Sequence, residues 1–154
     1  MKNHMKLEIM AISENEGFAR SAVAAFALGL NPSISELSDI KTAVSEAVTN
    51  SIVHAYKDCK DADNKIVIEC ETCKDESGGQ LHISVIDYGC GIENLDEAMK
   101  PFYTTSLPSE RAGMGFTIMQ AFTSDFQVES LQGQGTKITM TKKIQDVGKE
   151  DTDA

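Results

Sequence analysis

The sequence predicts an α+β two-layer sandwich: a mixed sheet of about five strands with its helices on one face and a short lid at one end. Three observations point there. Period-two apolar alternation recurs at 6–12, 65–73, 80–87, 125–131 and 136–144. Apolar residues at three-to-four spacing fill 14–30 and 33–56. Residues 88–114 are punctuated by glycine and proline and poor in apolar residues. So long an irregular stretch in a small domain is usually a functional lid.

Taken in order, Leu7, Ile9 and Ala11 alternate with polar neighbours and open the fold with a strand. The first helix follows, with Phe18, Ala22, Ala25, Phe26 and Gly29 read as its core stripe, and Asn31-Pro32 ends it. Ser33 and Glu36 form a capping box for a second helix reaching about Tyr56. Its stripe is Leu37, Ile40, Val44, Val48, Ile52 and Ala55. Residues 57–64 read as a polar loop, and the strands at 65–73 and 80–87 form a hairpin through Ser77-Gly78-Gly79. A helix over 115–122 leads into two closing strands split by Gly133-Gln134-Gly135.

A chain of 154 residues makes one domain, taken as 1–144, with an acidic tail over 145–154 expected to be disordered. With 24 acidic against 14 basic residues the net charge is -10, a field that repels a phosphate backbone. Direct nucleic-acid binding is therefore not expected. No apolar run approaches the roughly 20 residues of a membrane span, and no basic segment precedes an apolar one at the start. The expected location is cytoplasmic. Cys70 and Cys73 resemble half a zinc site, but residues three apart on a strand point to opposite faces. All four cysteines, Cys59 and Cys90 included, read as free thiols.

Chemistry enters with Glu46 and Asn50, four apart and hence neighbours on one helix stripe. A carboxylate beside an amide oxygen can serve as general base next to a Mg²⁺ ligand, since Mg²⁺ takes few protein oxygens. Alone, such a pair is more often a solvated polar face. Asp87 ends an apolar strand and is followed by Gly89 and Gly91. It can accept the amino group of adenine while the glycines let backbone approach the base; alone, it is also a common Asp-Gly turn. Gly113-Met114-Gly115 precedes an apolar helical start, where unpaired amides make a phosphate site, or a plain glycine cap. Thr136, after Gly135, can turn a hairpin or bring a hydroxyl near the adenine.

The order Glu46-x-x-x-Asn50, Asp87-x-Gly89-x-Gly91, Gly113-x-Gly115 and Gly133-x-Gly135-Thr136 resembles the ATP-binding boxes of the GHKL superfamily, with its Bergerat fold. Three longer segments narrow the likeness: Ser45–Tyr56 around the Glu46/Asn50 pair, Pro101-Phe102-Tyr103-Thr104-Thr105, and Glu110–Met119 with its two glycines. They resemble the SpoIIAB-type anti-sigma-F factors of endospore-forming bacteria. That resemblance implies a protein serine kinase that also silences a sporulation sigma factor of the sigma-F type. It implies ATP/ADP and Mg²⁺ as ligands, a SpoIIAA-type anti-anti-sigma factor as phosphate acceptor, and a homodimer.

By motif position it implies Glu46 as base, Asn50 as Mg²⁺ ligand and Asp87 as adenine reader. Gly89, Gly91, Gly113 and Gly115 become glycine turns, and Thr104, Thr105 and Arg111 lid residues at the nucleotide. Thr136 joins the pocket. Glu16 and Arg20, four apart and expected to be exposed, become the partner surface on the first helix. Two alternatives stand beside this reading. One is a nucleotide-gated module that sequesters a sigma factor without phosphotransfer; the other is a histidine-kinase-like ATPase.

Overall fold

The computed structural model of the chain describes residues 2–57, 64–100 and 115–145. Strand β1 (Lys2–Met10) leads into helix α1 (Glu14–Ala27), a 3₁₀ turn (Leu28–Leu30) and helix α2 (Ile34–Asn50). A single π-helical turn, Ser51–Ala55, extends α2. The hairpin β2 (Lys65–Asp75) and β3 (Gly78–Asp87) follows, then a short helix α3 (Leu95–Ala98), helix α4 (Gly115–Phe122), and the hairpin β4 (Asp125–Leu131) and β5 (Gly135–Ile144).

The boundaries have local causes. Asn31 takes a left-handed conformation, φ 52°, where the first helix must stop before Pro32. The capping box at Ser33 forms as expected. Its hydroxyl accepts the Glu36 amide at 3.0 Å, and the Glu36 carboxylate accepts the Ser33 amide at 2.9 Å.

The sheet order is β1-β2-β3-β5-β4. A mixed sheet was expected, yet all four pairings are antiparallel. The connections explain this. Two helices between β1 and β2 carry the chain away and back, so β2 runs against β1. The connection that carries α3 and α4 leaves β3 and β4 parallel to each other, but β5 inserts between them and opposes both. The parallel relation exists without a parallel ladder.

One face of the sheet carries the core. Ile66, Ile68, Leu81, Ile83, Val85, Ile138 and Met140 point from the strands into a cluster with Ile40, Val44 and Val48 of α2. Helix α2 lies between α1 and α4, packing on each. Helix α4 is anchored by Met119 and by a tilted ring contact between Phe116 and Phe126, centroids 6.1 Å apart.

The stripe on α1 differs from expectation. Ala19, Val23, Ala24 and Ala27 are the buried positions, whereas Phe18 is 57% exposed. The true stripe is rotated by about one residue, because small alanines let α1 approach its neighbours while the large ring stays outside. No described helix is long and apolar enough to cross a membrane. Cys70 is buried and Cys73 only half-buried, as opposite faces of β2 require. Burial pushes the Cys70 thiol up to about 12, which keeps it protonated and inert.

Candidate functional site

One end of the sandwich collects the chemistry. The C-terminus of α2, the exit of β3, the N-terminus of α4 and the entry to β5 all meet there. Glu46 and Asn50, both half-buried, face the start of α4. A Cβ at Gly115 would sit 3.3 Å from Asn50 Oδ1 and 3.5 Å from Glu46 Oε2. The absence of a side chain at Gly115 thus lets the start of α4 lie close against the carboxylate–amide pair.

Asp87 is 5% exposed at the end of β3. The Ser51 hydroxyl donates to its Oδ2 at 3.0 Å. The amides of Gly89 and Thr136 donate to its Oδ1 at 3.1 and 3.2 Å. A carboxylate offers about four lone-pair sites. Three are used, and Oδ2 retains capacity for one more donor such as an adenine amino group. Burial pushes the Asp87 carboxyl above its ordinary value, with the three donors acting against that rise.

That balance gives a stability prediction for the protein without nucleotide. A raised folded-state value means that the protonated acid favours folding. This contribution is complete below the unfolded value of ~3.9 and lost as pH rises through the folded one. Asp87→Asn can keep all three contacts: its carbonyl accepts the two amides, and its amide donates to the Ser51 oxygen. The variant should therefore be at least as stable as the parent at pH 7, its relative advantage shrinking as pH falls through that window. Urea melts across pH check this; a variant markedly less stable at pH 7 would contradict it.

The glycines of the turn are needed for close approach. A Cβ on Gly89 would overlap the Ala55 carbonyl, which instead accepts the Cys90 amide at 2.8 Å. The π-helical turn of α2 therefore moulds the loop after β3, and Ser51 at its start holds Asp87. Tyr56, just beyond it, donates to the Lys65 carbonyl at 2.6 Å and accepts the Tyr88 amide at 2.8 Å. Gly91 lies against the Leu131 carbonyl, linking the turn to the end of β4.

Glu46 and Asn50 thus lie beside Gly115, Asp87 lies with Gly89 and Thr136, and Ser51, directly after Asn50, joins the two groups, with Gly91 against the end of β4. Thr104, Thr105, Arg111 and Gly113 lie outside the described residues. Ser51 and Ser130 were missed. Ser130 accepts the Ile92 amide at 2.8 Å and pairs with the Thr136 hydroxyl at 2.9 Å, so the Thr136 hydroxyl is held by protein. A serine directly after Asn50 on an otherwise apolar helical face was the available signal for Ser51. Ser130 had none, since its role exists only through the β4–β5 register.

Glu16 and Arg20 form an ion pair on α1 at 3.7 Å, with side chains 23% and 44% exposed. Glu16 is less exposed than expected because the buried stripe runs closer to it. It accepts the Ser45 hydroxyl at 2.5 Å, joining α1 to the residue beside Glu46. Arg20 is the more accessible partner.

Comparison with known proteins agrees with this geometry. The family model described as histidine kinase-like ATPase domain matches residues 12–142. A protein of Clostridium perfringens strain 13 named anti-sigma F factor is 53% identical over 144 residues, covering 94% of this chain and 99% of that protein. One of the same name from Thermoanaerobacter pseudethanolicus is 53% identical over 143 residues, covering 92% and 94%. The crystal structure of RsbU and RsbW domains from Mycobacterium tuberculosis superposes with a TM-score of 0.63 at 18% identity. That match spans 94% of this chain and 33% of the other, and it shows the shared fold. The chain belongs to the anti-sigma F factor family of histidine kinase-like ATPases.

Proposed function

We propose that this chain is an anti-sigma factor that binds and inhibits a sigma-F-type sigma factor and, with Mg²⁺-ATP, phosphorylates a serine of an anti-anti-sigma factor. Glu46 and Asn50 beside the start of α4, with Asp87 held by Ser51 directly after Asn50, are the observation that carries the reading. Asp87 Oδ2 fits the adenine amino group, and the α4 N-terminus fits phosphate oxygens. Asn50 Oδ1 fits Mg²⁺. No three His, Cys, Asp or Glu side chains group as a metal set among the described residues, and Mg²⁺ held mainly by phosphates and water needs none.

In the proposed reaction the acceptor serine oxygen bonds the γ-phosphorus. The bond from that phosphorus to the bridging oxygen breaks, its electrons leaving on ADP. The serine proton passes to Glu46 and then to solvent. Such transfers depend chiefly on positioning and charge neutralisation. Glu46 also separates this reading from a nucleotide-gated sequestering module, which needs no carboxylate beside the metal ligand. A histidine kinase places its acceptor on a dimerising helical hairpin, whereas His4 lies on β1. Incubation with γ-labelled ATP and an anti-anti-sigma factor tests the reading. Label should appear on one acceptor serine; nucleotide binding without any label would favour sequestration alone.

The partner surface is assigned to Glu16 and Arg20 of α1, in a protein working as a cytoplasmic homodimer. Arg is enriched among residues that anchor interfaces. Arg20→Glu should weaken binding of both sigma factor and anti-anti-sigma factor while leaving ATP affinity and melting temperature near the parent's. Titrating each partner separately is the check. Parent-like affinity for both would move the interface elsewhere.

A further inference from the structure

Ser130 sits among three polar groups at the end of the sheet. The Ile92 amide donates to its Oγ at 2.8 Å. The Thr136 hydroxyl lies 2.9 Å from that Oγ, and the Gly135 carbonyl oxygen 3.2 Å. A serine hydroxyl has one hydrogen and two lone pairs. The Ile92 amide, which can only donate, takes one lone pair. The single hydrogen goes either to Thr136 Oγ1 or to the Gly135 oxygen. The first contact lies inside the roughly 2.5–3.0 Å range of an O–H···O bond and the second outside it. The shorter contact therefore takes the hydrogen. Ser130 donates to Thr136, and the Thr136 hydrogen is left for a further acceptor.

Thr136 stands opposite Asp87 in the β3–β5 pairing, and its amide donates to Asp87 Oδ1 at 3.2 Å. Opposed residues share one face of a sheet, with Cβ atoms ~5 Å apart. The hydroxyl and the carboxylate can therefore serve one edge of one ligand. An adenine that gives an amino hydrogen to Asp87 presents its ring nitrogen N1, an acceptor, on the same edge. A carboxylate only accepts and cannot serve N1. A hydroxyl on the same face is the donor that fits. We propose that Ser130 is a positioning residue for purine selection: by donating to Thr136 Oγ1 it turns the Thr136 hydrogen toward N1 of a bound adenine. This rests on the adenine-nucleotide reading above and adds to it the residue that sets the polarity of a second contact to the base.

The Ile92 N–H, the Ser130 O–H and the Thr136 O–H then point one way, each polarising the next. Reversing the two hydroxyls would send the Ser130 hydrogen to the longer Gly135 contact and turn lone pairs toward the ligand. That arrangement suits a purine with a hydrogen on N1, such as guanine, so the same pair disfavours it. Ser130 is half-buried and Thr136 9% exposed, so little water competes for either hydroxyl.

The test titrates the parent, Ser130→Ala, Ser130→Cys and Ser130→Thr with ATP and with 1-deaza-ATP, whose N1 is replaced by C–H, each in Mg²⁺. The readout is the ratio of the two Kd values. The parent should bind ATP at least about tenfold more tightly than the analogue. Ser130→Ala has no hydrogen to give and should bring the ratio within about threefold, through weaker ATP binding with the analogue little changed. Ser130→Cys fills the same place with a weak donor and should also lose most of the ratio. Ser130→Thr keeps the hydroxyl at a strand position that suits a β-branched residue, and should keep the ratio. A role in shape alone would weaken both nucleotides alike and leave the ratio untouched. A parental ratio in folded Ser130→Ala or Ser130→Cys, its loss in folded Ser130→Thr, or a parent that binds the two nucleotides equally overturns the proposal while the nucleotide site stands. A parent that binds neither nucleotide overturns both.

Discussion

Glu46→Gln should bind nucleotide as tightly as the parent and transfer phosphate at least ~10²-fold more slowly, the loss typical of removing a general base. The substitution keeps the shape of a half-buried side chain packed beside Gly115 and Asn50, so nothing in the fold needs to move. What disappears is the capacity to take a proton. The effect should fall on the single-turnover rate, with the Kd for ATP unchanged, if, as proposed, Glu46 serves the acceptor while Asp87 and Asn50 hold the nucleotide. An unaltered single-turnover rate in a folded Glu46→Gln protein would remove this residue as the base.

Gly135→Ala should be the most damaging small change to stability. Gly135 has φ +112°, a conformation that L side chains rarely adopt, and its missing Cβ would overlap the Asp87 carbonyl oxygen. That oxygen is backbone at the end of the β3–β5 pairing, where Asp87 lies opposite Thr136. Relief therefore means prying the two strands apart, at the cost of the Thr136 amide bond to Asp87. A loss of about 3 kcal/mol or more is expected. For a domain of this size that lowers Tm by about 6–12 °C. Gly133→Ala is the matched comparison: φ is +81°, but nothing lies within 4 Å of its Cβ position. It should lose only the strain of a left-handed residue, about 1–2 kcal/mol. Thermal melts of the two variants check the order. Equal melting temperatures would mean that the β3–β5 contact yields easily.

The elements most legible in the sequence were those whose pattern is local. The alternation from Asp125 to Leu131 and the Ser33/Glu36 capping box settled a strand and a helix start without reference to the rest of the chain. On α1 the same reasoning placed the stripe about one residue off, because it gave Phe18 to the core on hydrophobicity. The contact with α2 is made by alanines instead. The π-helical turn could not have been read at all. Ser51-Ile52-Val53-His54-Ala55 continues an ordinary helical pattern. Its widening accompanies contacts far along the chain, from Ser51 to Asp87 and from Ala55 to Cys90. The site followed the same division. Glu46, Asn50 and Asp87 were visible as spaced motifs, whereas Ser130 acquires a role only once β4 and β5 are paired.

Equilibrium titration of the parent and of Asp87→Asn with ATP and with GTP, each in Mg²⁺, tests the adenine-nucleotide assignment most directly. The Asp87 carboxylate has an acceptor in place for an amino group, and guanine presents a carbonyl where adenine has that amino group. The parent should bind ATP at least about tenfold more tightly than GTP, and Asp87→Asn, stable though it is, should lose most of that preference. Equal affinity of the parent for the two nucleotides, or an undiminished preference in Asp87→Asn, would contradict the assignment of this end of the sheet as an adenine-nucleotide site.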